Sequence, residues 1–265
     1  MTVQEQARQL RERLAAGETI LGCFLSLGSP IAAEVMGAAG YDCAVVDLEH
    51  GSGDEVDILG QMQGLAASGC AAIVRVEYNH RQRVQRALDG GAHGVMFPRV
   101  ESAEEARAAV AAMRYPPDGV RGLASSVRAC GYGGNFLPYL EGSKNLLSVI
   151  QIESEAVVEQ VDAIAALDGV DVLFLGPWDL TLSMGIMCEF DHPRFVRAVE
   201  RTAAAAQAHG KCAGILLPPA KPVSEYHKLG YRFILSGVDA IFLQQAAYAA
   251  ASALREQRSA LPTGK

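Results

Sequence analysis

Short apolar runs recur along the chain at residues 20–25, 43–47, 71–76, 94–97, 147–152, 171–175, 212–216 and 233–236. Each is bounded by Gly, Pro or Asp, and each reads as a strand buried on both faces of a parallel sheet. Between them the apolar period lengthens to that of a helix. Residues 1–17 place Ala7, Leu10 and Leu14 on one stripe and Arg and Glu on the other, which predicts an amphipathic helix leaning on one end of the fold. Residues 103–113 open on Ser102, with Glu105 three positions later, and stop before Pro116 and Pro117. Residues 193–209 and 242–258 are Ala-rich helices of the same kind. Strand and helix alternate from one end to the other with no internal repeat or linker, which predicts a parallel α/β fold, a TIM-type (β/α)8 barrel forming a single domain over residues 1–265. One connection breaks the rhythm. Residues 121–144 are long for a barrel loop and carry Gly and Tyr, which predicts a lid or a subunit contact.

Composition narrows the class. Half of the 265 residues are hydrophobic and the mean hydropathy is +0.13, enough to fill one large core. A net charge of -7, a pI near 5.4 and dispersed Arg residues argue against nucleic acid as a partner. No apolar run approaches the roughly 20 residues that span a bilayer, and the N-terminus, rich in Gln, Glu and Arg, lacks a signal-like apolar core, so the expected location is cytoplasmic, without membrane contact. Cys23, Cys43, Cys70, Cys130, Cys188 and Cys212 show no CxxC spacing and read as small buried thiols rather than disulfide or zinc residues.

The candidate chemistry lies just past the apolar runs. Asp47, Glu49, His50, Arg75, Gln151, Glu153 and Asp179 each follow a strand-like segment, and in a parallel barrel the strand carboxyl ends converge on one pocket. Glu153 in QIESE and Asp179 in GPWDL could together hold a hard divalent ion, since magnesium or manganese needs only one or two carboxylates beside waters and a chelating substrate. Each could equally cap the helix that follows it. His50 in VVDLEHG suits a general base near neutral pH, and Asp89 in ALDGG could orient its ring. Arg75 in IVRVE must be paired or face a polar pocket, where it suits a carboxylate or enolate oxygen; the structural alternative is an ion pair with Glu77 or Glu101. His80, His93, His192, His209 and His227 lack zinc-like spacing.

Taken together, VVDLEHG at 45–51, GVMFPRVESAEEA at 94–106, RYPPDGVRG at 114–122, QIES at 151–154 and GPWDL around Pro177 resemble the HpcH/HpaI family, the metal-dependent class II pyruvate aldolases typified by 4-hydroxy-2-oxoheptanedioate aldolase. The resemblance spans about residues 21–247. It implies a barrel of the phosphoenolpyruvate/pyruvate type, a homo-oligomer, usually a hexamer, with the C-terminal helix exchanged between subunits. It implies Glu153 and Asp179 as ligands of Mg or Mn, with Co an option and no organic cofactor. His50, supported by Asp89, would be the acid/base through a water; Arg75 would contact the pyruvate C2 oxygen, and Gln151 and the backbone after Pro177 would seat pyruvate. The small-molecule partners implied are pyruvate or oxaloacetate and an aldehyde. Trp178 stands where the best-known members carry a small residue, and could narrow the aldehyde pocket or pack in an interface. Phe24 stands near an aromatic position of the first strand. Arg128 and Tyr132, in a loop unlike the bacterial one, could reach the distal end of a second substrate.

Other readings keep or discard this chemistry. Oxaloacetate decarboxylation, or cleavage of a malyl or citramalyl ester, would use the same site, although no basic stretch suits the phosphates of a coenzyme thioester. A phosphate-binding barrel isomerase is disfavoured, because LLPPAK follows the seventh run where a Gly-rich turn would stand. Lys144, Lys211, Lys221 and Lys228 lie away from the inner ends of strands, against a Schiff-base aldolase. A non-catalytic metabolite-binding oligomer is the reading of a different class.

Overall fold

The computed structural model describes residues 1–259 and 261. Eight parallel strands close into one barrel in chain order: β1 Ile20–Leu25, β2 Cys43–Asp47, β3 Ala71–Arg75, β4 Gly94–Phe97, β5 Leu147–Ile152, β6 Val172–Leu175, β7 Cys212–Leu216 and β8 Tyr231–Val238, with β8 pairing back onto β1. Around them run α1 Val3–Ala15, α2 Pro30–Ala38, α3 Glu55–Ser68, α4 Arg81–Asp89, α5 Ala103–Met113, α6 Phe136–Gly142, α7 Glu155–Val158, α8 Val161–Ala165, α9 Pro177–Ser183, α10 Pro193–Ala208, α11 Val223–Lys228 and α12 Asp239–Ser259. All eight apolar runs are strands, and the predicted helices are present. The eighth strand runs longer than its apolar run, and α12 starts at Asp239, whose buried carboxylate accepts from the backbone N–H groups of Ser26 and Leu27. Ser102 does cap α5 through the Glu105 N–H, but the Glu105 carboxylate accepts from the Glu101 N–H rather than closing a capping box.

Strand period sorts the side chains into two cores. Phe24, Cys43, Val45, Ala71, Ile73, Met96, Leu147, Val149, Val172, Phe174, Phe233 and Leu235 pack together inside the barrel. Their neighbours Ala44, Val46, Ala72, Val74, Val95, Ile150, Leu173 and Leu175 pack outward under the helices. Continuing the inward series two residues at a time leads to Asp47 on β2, Arg75 on β3, Gln151 on β5 and Glu153 just past it. The barrel interior therefore changes from apolar to polar at its carboxyl end.

The opposite end is closed by α1. Leu10 and Leu14 rest on the interior cluster, while Arg11 pairs with Asp171 at 2.9 Å and Arg13 with Asp42 at 2.8 Å. Nearby, the buried His93 accepts the Ala72 N–H at Nδ1, 2.9 Å away, and burial pushes its pKa down to about 4. All six cysteines are free; Cys23, Cys43, Cys70 and Cys130 are buried, Cys212 is half-buried and Cys188 exposed. Among the described residues no helix is long and apolar enough to cross a membrane.

Residues 121–144 connect α5 to β5, which places them at the N-terminal end of the strands, on the side of α1. A lid over this chain's own carboxyl-end mouth is therefore ruled out by topology: helix-to-strand loops and strand-to-helix loops lie on opposite faces of such a barrel. In α12 only Asp239 is buried; Ile241, Leu243, Tyr248 and Leu254 are all exposed.

Candidate active site

The turn after β2 is folded by Asp47, whose Oδ1 accepts the N–H groups of Glu49 at 3.0 Å and His50 at 3.3 Å. The same carboxylate grips Arg75, its register partner on β3, in a two-pronged pair: Nε to Oδ1 at 2.8 Å and Nη2 to Oδ2 at 2.6 Å. Nη1 reaches Glu49 Oε2 at 3.1 Å, and the guanidinium carbon lies 4.7 Å from the centroid of the Phe24 ring. Arg75 is thus paired with Asp47 and Glu49, not with Glu77 or Glu101; Glu77 instead faces Arg83, and Glu101 accepts from Ser154. A guanidinium carries five N–H groups. Those three contacts leave one on each Nη atom for a ligand.

Across the mouth, Glu153 follows β5. Its Oε2 accepts Gln151 Nε2 at 2.5 Å and its Oε1 accepts the backbone N–H of Arg99, a residue held at φ 51° just past β4. Gly176 makes room for it, because a Cβ there would stand 3.1 Å from both the Cβ and the Oε2 of Glu153. Burial, reinforced by the charges of Glu49 and Asp179 against the Arg99 N–H, pushes the Glu153 carboxyl up to about 7. Burial raises Glu49 as well, with Arg75 opposing and Asp47 and Asp179 adding to it. Asp179 stands in the first turn of α9, where no side chain caps the helix and the N–H groups of Trp178 and Asp179 have no intrahelical acceptor.

Three carboxylates thus repel one another beside Arg75, and the Oε1 of Gln151 is buried without a partner among the described residues. That donor set suits a hard divalent ion. Among the described residues no three His, Cys, Asp or Glu side chains converge as a complete cage, so the protein would supply one or two carboxylates and leave the remaining positions to water and substrate. Each Glu153 oxygen accepts one hydrogen bond and keeps a second lone pair for such an ion.

His50 sits at the rim with its side chain 66% exposed, Nε2 3.8 Å from Glu49 Oε2. Asp89 is not beside it. It ends α4, at the opposite end of the barrel from the turn after β2, and its carboxylate pairs with Arg121. Arg128 and Tyr132 lie on that same distant side, with Arg128 Nη1 donating to the Gly90 carbonyl at 2.8 Å. Within one chain Asp89 and Arg128 therefore stand apart from His50, because the helix before β4 and the loop before β5 both end where strands begin. Trp178 is partly exposed and meets Phe190 edge to face at 5.5 Å, Phe190 in turn meeting Phe195 at 5.7 Å, so this ring packs within its own chain. Sequence reasoning missed the Arg75–Asp47 clamp, although the even spacing from Val45 to Asp47 and from Ile73 to Arg75 carries it. It also missed the Arg99 N–H, a backbone donor with no signature in side-chain type.

The profile of the HpcH/HpaI aldolase/citrate lyase family matches residues 21–246. The chain belongs to this family. A 5-keto-4-deoxy-D-glucarate aldolase from Enterobacter sp. is 41% identical over 231 residues, covering 87% of this chain and 90% of that protein. One of the same name from Salmonella arizonae is 41% identical over 226 residues, 85% of this chain and 88% of that one. A solved HpcH/HpaI aldolase/citrate lyase family protein from Burkholderia cenocepacia superposes with a TM-score of 0.88 at 37% identity, covering 94% of this chain and 99% of that one. As a member of this family the protein is an aldolase-type carbon–carbon lyase, with the eight-stranded barrel its relatives share.

Proposed function

We propose that this enzyme cleaves and forms 4-hydroxy-2-oxo acids through a pyruvate enolate, with Glu153 and Asp179 holding Mg or Mn. The observation that carries the reading is the cluster of Glu49, Glu153 and Asp179 facing a clamped Arg75, with burial and the two neighbouring carboxylates holding Glu153 up near 7. A bound divalent ion would be chelated by the 2-oxo acid and would act as the Lewis acid that makes its enolate accessible.

The chain's own groups do the rest. Asp47 and Glu49 fix Arg75 so that its two remaining N–H groups meet the C2 oxygen as negative charge develops there. The second N–H of Gln151 Nε2 and the backbone N–H groups of Trp178 and Asp179 seat the carboxylate. In the cleavage direction His50, acting through a water, removes the proton of the C4 hydroxyl; the C3–C4 bond breaks, the aldehyde leaves, and the electron pair passes to the C2 oxygen. The same imidazole then returns a proton to C3, giving pyruvate. Asp89 and Arg128, remote within one chain, serve the mouth of a neighbouring copy, Asp89 behind His50 and Arg128 with Tyr132 at the far end of the aldehyde. The bare helix α12, which a second subunit would cover, supports such an assembly, and a hexamer with exchanged α12 helices is the expected form. Cytoplasmic location remains the expectation for such an enzyme.

The relatives' shared name points to the substrate class. Numbered from its keto end, 5-keto-4-deoxy-D-glucarate is itself a 4-hydroxy-2-oxo acid, and cleavage gives pyruvate and a carboxylated hydroxyaldehyde. Trp178, partly exposed beside Asp179, stands at the aldehyde end and sets how large that fragment can be; Phe24 lies under Arg75. Proton NMR of pyruvate in deuterated buffer tests the reading. Loss of the methyl signal with Mg, Mn or Co and not after chelation is the expected result, followed by cleavage of the keto-deoxy diacid. No exchange with any metal would sink it.

A further inference from the structure

Helix α4 ends on Asp89, a carboxylate placed at the negative end of a helix dipole, where it is electrostatically out of place. What holds it is Arg121, only 1% exposed. Arg121 Nη2 donates to Asp89 Oδ1 at 2.8 Å and to the hydroxyl of Tyr139 at 3.0 Å, and that hydroxyl donates to the Leu88 carbonyl at 3.3 Å. The guanidinium carbon sits 4.7 Å from the Tyr115 ring centroid and 5.5 Å from that of Tyr139. Nε and Nη1 are buried with no acceptor among the described residues. Taking a guanidinium out of water for a single carboxylate, with two of its nitrogens unsatisfied, returns little or nothing in stability. The pair is a poor structural device at either partner, and the geometry of Asp89 suggests what it does instead. Among the described residues Oδ2 has no hydrogen-bond partner, and the side chain borders an open groove of about 310 Å³ shared with Glu55, Arg86, Arg128 and Tyr132.

We propose that Arg121 is a positioning residue: it clamps one oxygen of Asp89 so that the other is presented in a fixed direction to His50 of a neighbouring copy. The proposal rests on the reading above in which Asp89 supports His50 between copies, and it adds the group that makes a helix-end carboxylate rigid enough to do so. The two tyrosines complete the clamp by replacing the water that Arg121 gives up with ring faces.

The test is the exchange rate of pyruvate methyl protons with Mn across a range of pyruvate concentrations, measured on assembled wild type, Asp89→Asn, Arg121→Lys and the double variant. Asp89→Asn should lower kcat about a hundredfold, the scale of a general acid/base contribution. Arg121→Lys keeps the charge and loses the fork, and should lower kcat about tenfold with KM for pyruvate unchanged. The double variant should be no slower than Asp89→Asn, because both changes remove the same orientation. Arg121→Lys at wild-type kcat, or losses that multiply in the double variant, would overturn the clamp while leaving the aldolase reading intact. Should Arg121→Lys fail to assemble, Tyr139→Phe removes one acceptor of Nη2 and should lower kcat a few-fold at constant KM; wild-type kcat there overturns the proposal. Asp89→Asn at wild-type kcat would remove the dyad between copies and this proposal with it. Absence of exchange in wild type would remove the functional reading, and the clamp with it, before any variant is compared.

Discussion

The two ends of the barrel are made from the same eight strands and arrange their charges in opposite ways. At the closed end each buried or half-buried acid meets its own base: Asp171 faces Arg11 and Asp42 faces Arg13, both from α1. At the open end Asp47 and Glu49 share Arg75, while Glu153 and Asp179 face the same region with no ion-pair partner among the described residues. At the closed end the acids facing α1 are paired; the open end leaves Glu153 hard to ionise and Gln151 short of a partner. The contrast matches a division of labour in which one face holds the fold and the other keeps unfavourable electrostatics for chemistry.

The comparison breaks most sharply at Glu153. Glu153→Gln should lower metal-dependent pyruvate exchange by about a thousandfold or more, since it removes a proposed ligand, and should leave the thermal midpoint of metal-free protein unchanged or higher, since it removes a repelled carboxylate. A midpoint lowered by several degrees would mean that the open end carries stability after all. At the closed end the signs reverse. Leu10→Ala should cost about 2–5 kcal/mol by emptying the contact between α1 and the interior cluster, with kcat retained, read from denaturant or thermal melts beside the exchange assay.

The ends should also titrate in opposite senses. His93 has a folded-state pKa of about 4 against an ordinary 6.5, so its contribution is complete above pH 6.5 and is lost as pH falls toward 4. Glu153, raised from 4.5 to about 7, keeps a proton that the unfolded chain has shed, so its contribution is complete below pH 4.5 and is lost as pH rises through 7. Melting the metal-free protein across this range should give a falling limb on each side. His93→Gln should flatten the acid limb and Glu153→Gln the other; a Glu153→Gln protein with an unaltered upper limb would contradict the assignment. The smallest effect belongs to Arg13→Met, an exposed ion-pair partner worth about 1 kcal/mol or less, visible as a slight drop in midpoint that added salt mimics.

The strands were legible because a parallel barrel buries both faces, which leaves short, wholly apolar runs. The polar ring at the open end was legible for the same reason: Asp47, Arg75, Gln151 and Glu153 interrupt or end runs that otherwise admit no polar side chain. For Asp89 and Arg128, residue type suggests a partner, while only chain direction tells at which end of the barrel each emerges. That direction was available, since 121–144 follows a helix and precedes a strand. Arg121 was hidden for a different reason: a fully buried arginine in a stretch of Gly, Pro and Asp looks like any solvated loop residue until the two tyrosines fold over it.

The helix that stoppers the closed end has a kinetic corollary. With Leu10 and Leu14 below and Phe24, Phe174 and Phe233 filling the bore, reactants share one doorway. A vessel with a single entrance empties in the reverse order of its filling. On the proposed pyruvate chemistry the expected order in the cleaving direction is aldehyde before pyruvate, so pyruvate should inhibit cleavage competitively against the keto acid and the aldehyde should not.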